Sequence, residues 1–190
     1  MTILAIDTSG QVATCALLVD EEIRGLYSIQ YKKTHSETML PMIDNMMSMV
    51  GQKVEEVDAV AVACGPGSFT GLRIGASLAK GICLAADKPL IAVATLEGLA
   101  YRYYGDERLI VPIMDARRDQ VYTGIYRVSD GIGVVSEQAA MSINDLIDKV
   151  NQYDEPAVYL GDGIIRYREL LEERIRENDF IAPVHNAFQS

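Results

Sequence analysis

Two stretches of this chain follow the same plan. Residues 58–63, DAVAVA, make a short continuous apolar run; a glycine-rich turn at 65–71 follows and opens into a long apolar segment reaching about residue 86. Residues 157–160, AVYL, lead in the same way through Gly161-Asp162-Gly163 into a segment from about 164 to 176. A strand without polar alternation is buried on both faces, as in sheets covered by helices. Ahead of each stretch stand three β-rich segments and a helix. In the first half these are 3–7, 12–19 and 23–31, with the tight turns of an antiparallel meander, then a helix from Ser36 or Thr38 to Val50. A buried strand at 90–94 and a short helix at 96–104 complete it. In the second half they are 109–114, 120–127 and 131–136, then a helix capped by Ser142 that runs to about Val150, with Asp145 in its first turn. Three strands, helix, strand, helix, strand, helix is the order of one ribonuclease-H-like unit, a mixed sheet with helices over its faces. The expectation is an α/β chain with one lobe over 1–104 and a similar lobe over 105–190, the second incomplete at its C-terminus.

The first helix carries Met39, Leu40, Met42, Ile43, Met46, Met47, Met49 and Val50, eight apolar residues within twelve. A helix covering one side of a sheet needs an apolar stripe only a little wider than about 100°. Positions 39, 43, 46 and 50 make such a stripe, and 40, 42, 47 and 49 spread around from it. This predicts a helix covered on two sides, the second cover being another protein, for which methionine is an adaptable surface. A broad internal core helix is the alternative. Thr38 is read as its cap, which puts Pro41 in the first turn, where the missing N–H costs nothing.

The run Gly65-Pro66-Gly67-Ser68-Phe69-Thr70-Gly71-Leu72-Arg73-Ile74-Gly75 lies between a strand and a helix, where α/β proteins place anion sites. It is not a P-loop, because Leu72-Arg73 stands where Lys and Ser/Thr are needed, and its third glycine falls one place late for a dinucleotide fingerprint. The turn Asp7-Thr8-Ser9-Gly10 could offer backbone N–H groups to a phosphate, or could be a tight turn bonded to its own side chains. Asp7, Thr8, Ser9, Gly65 and Gly67 are therefore weak candidates for nucleotide contact. Thr70 is read as the second helix's cap. Gly71, Gly75 and Ala79 stand four apart on one helix face, which allows close approach either to the chain's own sheet or to a partner's helix. The candidate partner interface comprises His35, Met39, Leu40, Ile43, Met46, Met47 and Val50 with Leu72, Arg73, Gly75, Ala76, Ala79 and Lys80.

Other chemistry is sparse. The two histidines, His35 and His185, are far apart, which argues against a histidine-built metal site, and there is no G-x-S-x-G elbow. Asp115-Ala116-Arg117-Arg118-Asp119 is a polar loop between strands, either a solvated turn or a contact for a phosphate or partner. A formal net charge of -10 disfavours tight binding to a phosphate backbone by this chain alone. Cys15, Cys64 and Cys83 each sit in an apolar run without a C-x-x-C pair and read as buried thiols in a reducing compartment. With no apolar run of 18 residues free of charge or break, no membrane span or signal peptide is expected, and the cytoplasm is the expected location.

Together these stretches resemble the TsaB (YeaZ-like) family: ILAIDTSGQVATCALL at 3–18, HSETMLPMI at 35–43, GPGSFTGLRIGASLAKGI at 65–82, VATLEGLA at 93–100, IMDARRDQVYTGIY at 113–126 and YLGDGIIRY at 159–167. The resemblance implies an actin-like ATPase fold. It implies a scaffold and activator role in making threonylcarbamoyladenosine at position 37 of tRNA, beside a catalytic TsaD-like relative and a TsaE-like ATPase. It further implies pairing with that relative through the two helices of the first lobe, and homodimers through the same surface when alone. No cofactor of its own is implied; ATP or ADP would belong to the complex, and tRNA would be reached only through it. The catalytic relatives carry H-L-E-G-H where this chain has Thr95-Leu96-Glu97-Gly98-Leu99, so Thr95 and Leu99 replace the two metal-binding histidines, and neither side chain can substitute for an imidazole. The alternative is an active phosphotransferase of the actin and sugar-kinase fold, with Asp7 and Gly161-Asp162-Gly163 its only candidates. A peptidase is improbable without the histidines.

Overall fold

A computed structural model describes residues 1–30 and 34–183. Tyr31, the expected end of the third strand, and His185 lie outside the described residues. Two compact units divide after Thr95.

In the first unit β1 (Thr2–Asp7), β2 (Ala13–Val19) and β3 (Glu22–Ile29) form the expected meander, followed by α1 (His35–Val50), β4 (Ala59–Ala63), α2 (Phe69–Ala86) and β5 (Leu90–Val93). The sheet order is β3-β2-β1-β4-β5, with β1–β2 and β2–β3 antiparallel and β1–β4 and β4–β5 parallel. α3 (Thr95–Tyr101) leads onward. The second unit repeats the plan with β6 (Leu109–Arg117), β7 (Gln120–Arg127), β8 (Gly133–Ser142), α4 (Ile143–Val150), β9 (Ala157–Leu160), α5 (Gly163–Arg174) and β10 (Phe180–Ile181). Its order, β8-β7-β6-β9-β10, and its mix of antiparallel and parallel pairs match the first. Two ribonuclease-H-like sheets of identical topology make this the actin-like α/β fold.

Each sheet buries apolar side chains under its helices. Leu4, Ile6, Cys15, Leu17, Val60 and Val62 meet Met39, Met42, Ile43, Met46 and Met47 of α1 in the first core. Ile110, Ile113, Val121, Ile125 and Tyr159 meet Leu146, Ile147 and Val150 of α4 and Ile164 and Leu171 of α5 in the second. Each such side chain contributes roughly 1.5–3 kcal/mol by leaving water. Leu96, Leu99 and Ala100 belong to the second core, which is why the division falls ahead of residue 104.

Several local expectations need correction. α1 begins at His35 with Thr34 as its cap: the Thr34 N–H donates to Glu37 Oε2 at 3.2 Å, and the Thr38 hydroxyl bonds back to Thr34 O. Pro41 therefore lies inside the helix, where it has no N–H to donate to the carbonyl one turn back. Ser68, not Thr70, caps α2, its Oγ accepting the Gly71 N–H at 3.3 Å. Cys64 is exposed, because it falls past the end of β4; Cys15 and Cys83 are buried, and burial pushes the Cys15 thiol up to about 11. β5 is exposed throughout, being an edge strand paired only with β4. β8 runs on to Ser142 and β10 is two residues long; neither has the apolar alternation that reveals a strand. The Ser142 cap stands as expected, accepting the Asp145 N–H at 3.0 Å.

Candidate functional site

α2 faces its own sheet with its smallest side chains. Its buried residues are Gly71, Gly75, Ala79 and Cys83, four apart along one face. A Cβ on Gly71 would come within 2.0 Å of Thr8 O, and one on Gly75 within 2.3 Å of Thr8 Oγ1. The small stripe thus packs on the chain's own β1–β2 turn. Leu78 and Ile82, half-buried, pack against the same core, Leu72 and Ile74 are half-buried, and Phe69 and Leu84 are 68% and 87% exposed. By length and composition α2 would pass for a membrane span, although Arg73 and Lys80 interrupt it. These are its only charged residues, both cations, and Arg73 lies over the Phe69 ring at 3.9 Å from its centroid.

α1 is one-sided. Met39, Met42, Ile43, Met46 and Met47 are all buried in their own core. At 100° per residue they cover an arc of roughly 140°. Leu40 and Met49 stand just beyond its two edges, 56% and 76% exposed. The predicted second apolar face reduces to these two residues, while Val50 is half-buried. Leu40 also lines a groove between the helices with His35, Met39, Phe69, Arg73, Ile74 and Leu78, which continues past Val54, Gly81, Ile82 and Ala85. His35 is half-buried and its Nε2 donates to Gly10 O at 3.0 Å, tying the start of α1 to the β1–β2 turn.

Of the interface residues read from sequence, Leu40, Arg73 and Lys80 are exposed and His35, Val50, Leu72 and Ala76 half-buried. Met39, Ile43, Met46, Met47, Gly75 and Ala79 are buried within the chain. Sequence reasoning missed Phe69, Ile74, Leu78, Ile82 and Leu84. The stripe of small residues was the signal: it marks the face turned inward, which Leu78 and Ile82 also join, and Phe69 and Leu84 fall outside it.

The candidate nucleotide residues form a tightly bonded seam. Asp7 Oδ1 accepts the Ser9 N–H at 2.7 Å, Ser9 O accepts the Ser68 N–H at 2.7 Å, and Thr8 Oγ1 donates to Gly71 O at 2.8 Å. Thr8 and Ser9 are each 1% exposed. Gly67 touches Ser9, where a Cβ would meet its carbonyl at 2.5 Å. Gly65 exchanges bonds with Thr95: its N–H donates to Thr95 Oγ1 at 3.2 Å and its carbonyl accepts the Thr95 N–H at 2.8 Å. Thr95 thus has a bonding role in the first unit, and Leu99 a packing role in the second core. The counterpart turn in the second unit is built alike, since a Cβ on Gly161 would meet Ile113 O at 2.3 Å. There Asp162 Oδ1 accepts the Asp115 N–H at 3.3 Å, and burial holds the Asp162 carboxyl above its usual range.

Comparison with known proteins fits this geometry. A family model described as "TsaD: tRNA N6-adenosine threonylcarbamoyltransferase" matches residues 20–175. The tRNA threonylcarbamoyladenosine biosynthesis protein TsaB of Bacillus subtilis (strain 168) is 37% identical over 190 residues, covering 98% of this chain and 82% of its own length. The protein of the same name from Escherichia coli (strain K12) is 31% identical over 191 residues, covering 96% and 82%. A solved structure of YeaZ from Pseudomonas aeruginosa superposes with a TM-score of 0.76 at 27% identity, covering 95% of this chain and 83% of that one. The repeated sheet topology, the glycine-rich seam and these identities over nearly the whole length lead to one conclusion: the chain belongs to the TsaB (YeaZ-like) family, within the wider group described by the TsaD model.

Proposed function

We propose that this chain is a non-catalytic partner subunit in threonylcarbamoyladenosine formation on tRNA, and that it acts by laying its α1/α2 face against a TsaD-type catalytic subunit. The observation that carries this is the apolar rim of the α1/α2 groove: Leu40 and Phe69 are exposed and Ile74 and Leu78 half-buried along it, with Leu84 exposed further along α2. Contiguous apolar surface of this kind marks a docking face, and the two cations on it suit an acidic or carbonyl-rich counterpart. The relatives' names supply the pathway. Thr95 and Leu99, spent on a hydrogen bond and on core packing, leave the chemistry to the catalytic relative. Alone, the chain pairs with a second copy through the same face. A TsaE-like ATPase and its ATP or ADP act at the level of the complex, in the cytoplasm.

The test is the light-scattering mass of the chain alone and mixed with a TsaD-type subunit. A dimer alone and a mixed complex on mixing support the proposal, and a lone monomer indifferent to the relative overturns it. ATP turnover by the isolated chain would favour the phosphotransferase instead.

A further inference from the structure

β6 and β7 meet in a hairpin whose last pair is Arg117 and Gln120, so the loop is only Arg118-Asp119. Both loop residues have positive φ, 51° and 59°, and Arg117 before them has φ 66°. A two-residue loop of this hand is normally made by Asn-Gly, which adopts it with least strain. Here three consecutive residues with full side chains hold the left-handed conformation, two of them arginines. Backbone strain that a fold could have avoided points to a role for the side chains it displays.

The surrounding charges are arranged to leave those side chains free. Arg166 of α5 pairs with Asp115 at 3.3 Å and Asp119 at 2.6 Å. Asp162 lies beneath, bonded to the Asp115 N–H and held toward its neutral form by burial. The acidic groups beside the tip are thus occupied. Arg117 and Arg118 are exposed, and among the described residues neither guanidinium has an ion-pair partner. On a chain of net charge -10, these are two exposed cations beside carboxylates that Arg166 already engages.

We infer that the Arg117–Arg118 hairpin tip is a phosphate-backbone contact, through which this subunit itself touches the tRNA presented to the complex. The planar fork of each guanidinium matches phosphate oxygens, and the chain's net negative charge disfavours RNA contact over wide areas. The inference rests on the tRNA role proposed above.

The experiment uses the full chain assembled with a TsaD-type subunit and an unmodified tRNA transcript, with binding followed by anisotropy from low to high salt. Formation of the protein complex is measured first by scattering, and its failure in the wild type would sink the proposed function, separately from this inference. R117E/R118E should leave that complex intact, lower tRNA affinity about ten-fold or more at low salt, and reduce the slope of log K against log salt by about two. R118N, which removes one charge and suits the left-handed backbone, should raise Tm while lowering the slope by about one. Unchanged affinity and slope in R117E/R118E would overturn the inference, as would loss of protein pairing instead, which would make the tip a contact for an acidic protein surface.

Discussion

Gly71 and Thr8 are locked together: the Thr8 hydroxyl donates to the Gly71 carbonyl at 2.8 Å, and a Cβ on Gly71 would stand 2.0 Å from the Thr8 carbonyl oxygen. The obstacle is backbone, which cannot swing aside as a side chain can. Gly71→Ala should therefore destabilise the first unit by about 3 kcal/mol or more, read as a fall in the urea midpoint. A variant that kept its midpoint and lost only partner binding would mean the glycine is there for a partner's helix.

The helix faces make opposite predictions for one kind of substitution. Met46 is 1% exposed, so M46D puts a carboxylate in the core and should unfold the unit, with a loss of about 4 kcal/mol. Leu40 and Leu84 are exposed. L40D and L84D should change stability by no more than about 0.5 kcal/mol and abolish the self-association proposed above, read by scattering. Circular dichroism with thermal melting separates the two classes.

Two arginine–carboxylate pairs should differ in weight. Arg127 and Glu155 form a bidentate pair at 2.8 and 3.0 Å, but both are about two-fifths exposed. The Asp179 side chain is 0% exposed and pairs with Arg176, which also donates to Tyr153 O at 2.6 Å and to Glu155 O. R127A should cost at most about 1 kcal/mol. R176A leaves the buried Asp179 without its cation and frees two carbonyls, and should cost about 3 kcal/mol. Chemical denaturation of both variants provides the check.

Asp162 gives a pH dependence whose sign is fixed. Burial raises its carboxyl above the ordinary 3.8. Between that value and the raised one, the folded chain holds a proton that the unfolded chain has released. This contribution to stability therefore falls as pH rises through the window. D162N keeps an oxygen for the Asp115 N–H and removes the charge. It should flatten this slope and leave stability at pH 7 equal or higher, measured as urea midpoints across the acidic range.

The sheet plan was legible because its signals are local and repeated. DAVAVA and AVYL announce strands β4 and β9, and the Ser142–Asp145 pair announces a cap. The caps Thr34 and Ser68 were misplaced for one reason: several hydroxyls stand near each helix start, and backbone geometry, not residue type, selects among them. The docking face was half legible. A methionine-rich helix looked two-sided because its eight apolar residues span roughly 180°, wider than the usual stripe, and only the depth of the sheet beneath decides how much of it is covered. The leftover side chains of α2 were hidden by the same ambiguity: a stripe of glycine and alanine does not say which backbone it approaches. β5 looked buried because its four residues are apolar, although strand order puts it at the edge.

An eighteen-residue helix that leaves Phe69 and Leu84 in solvent also ties the molecule's survival to supply. Whenever synthesis outruns whatever covers that face, the surplus copies carry bare leucine and phenylalanine into a crowded solution, where chaperones and proteases select for such surfaces. Cellular abundance should then follow the gene dosage of the covering protein more closely than its own message level.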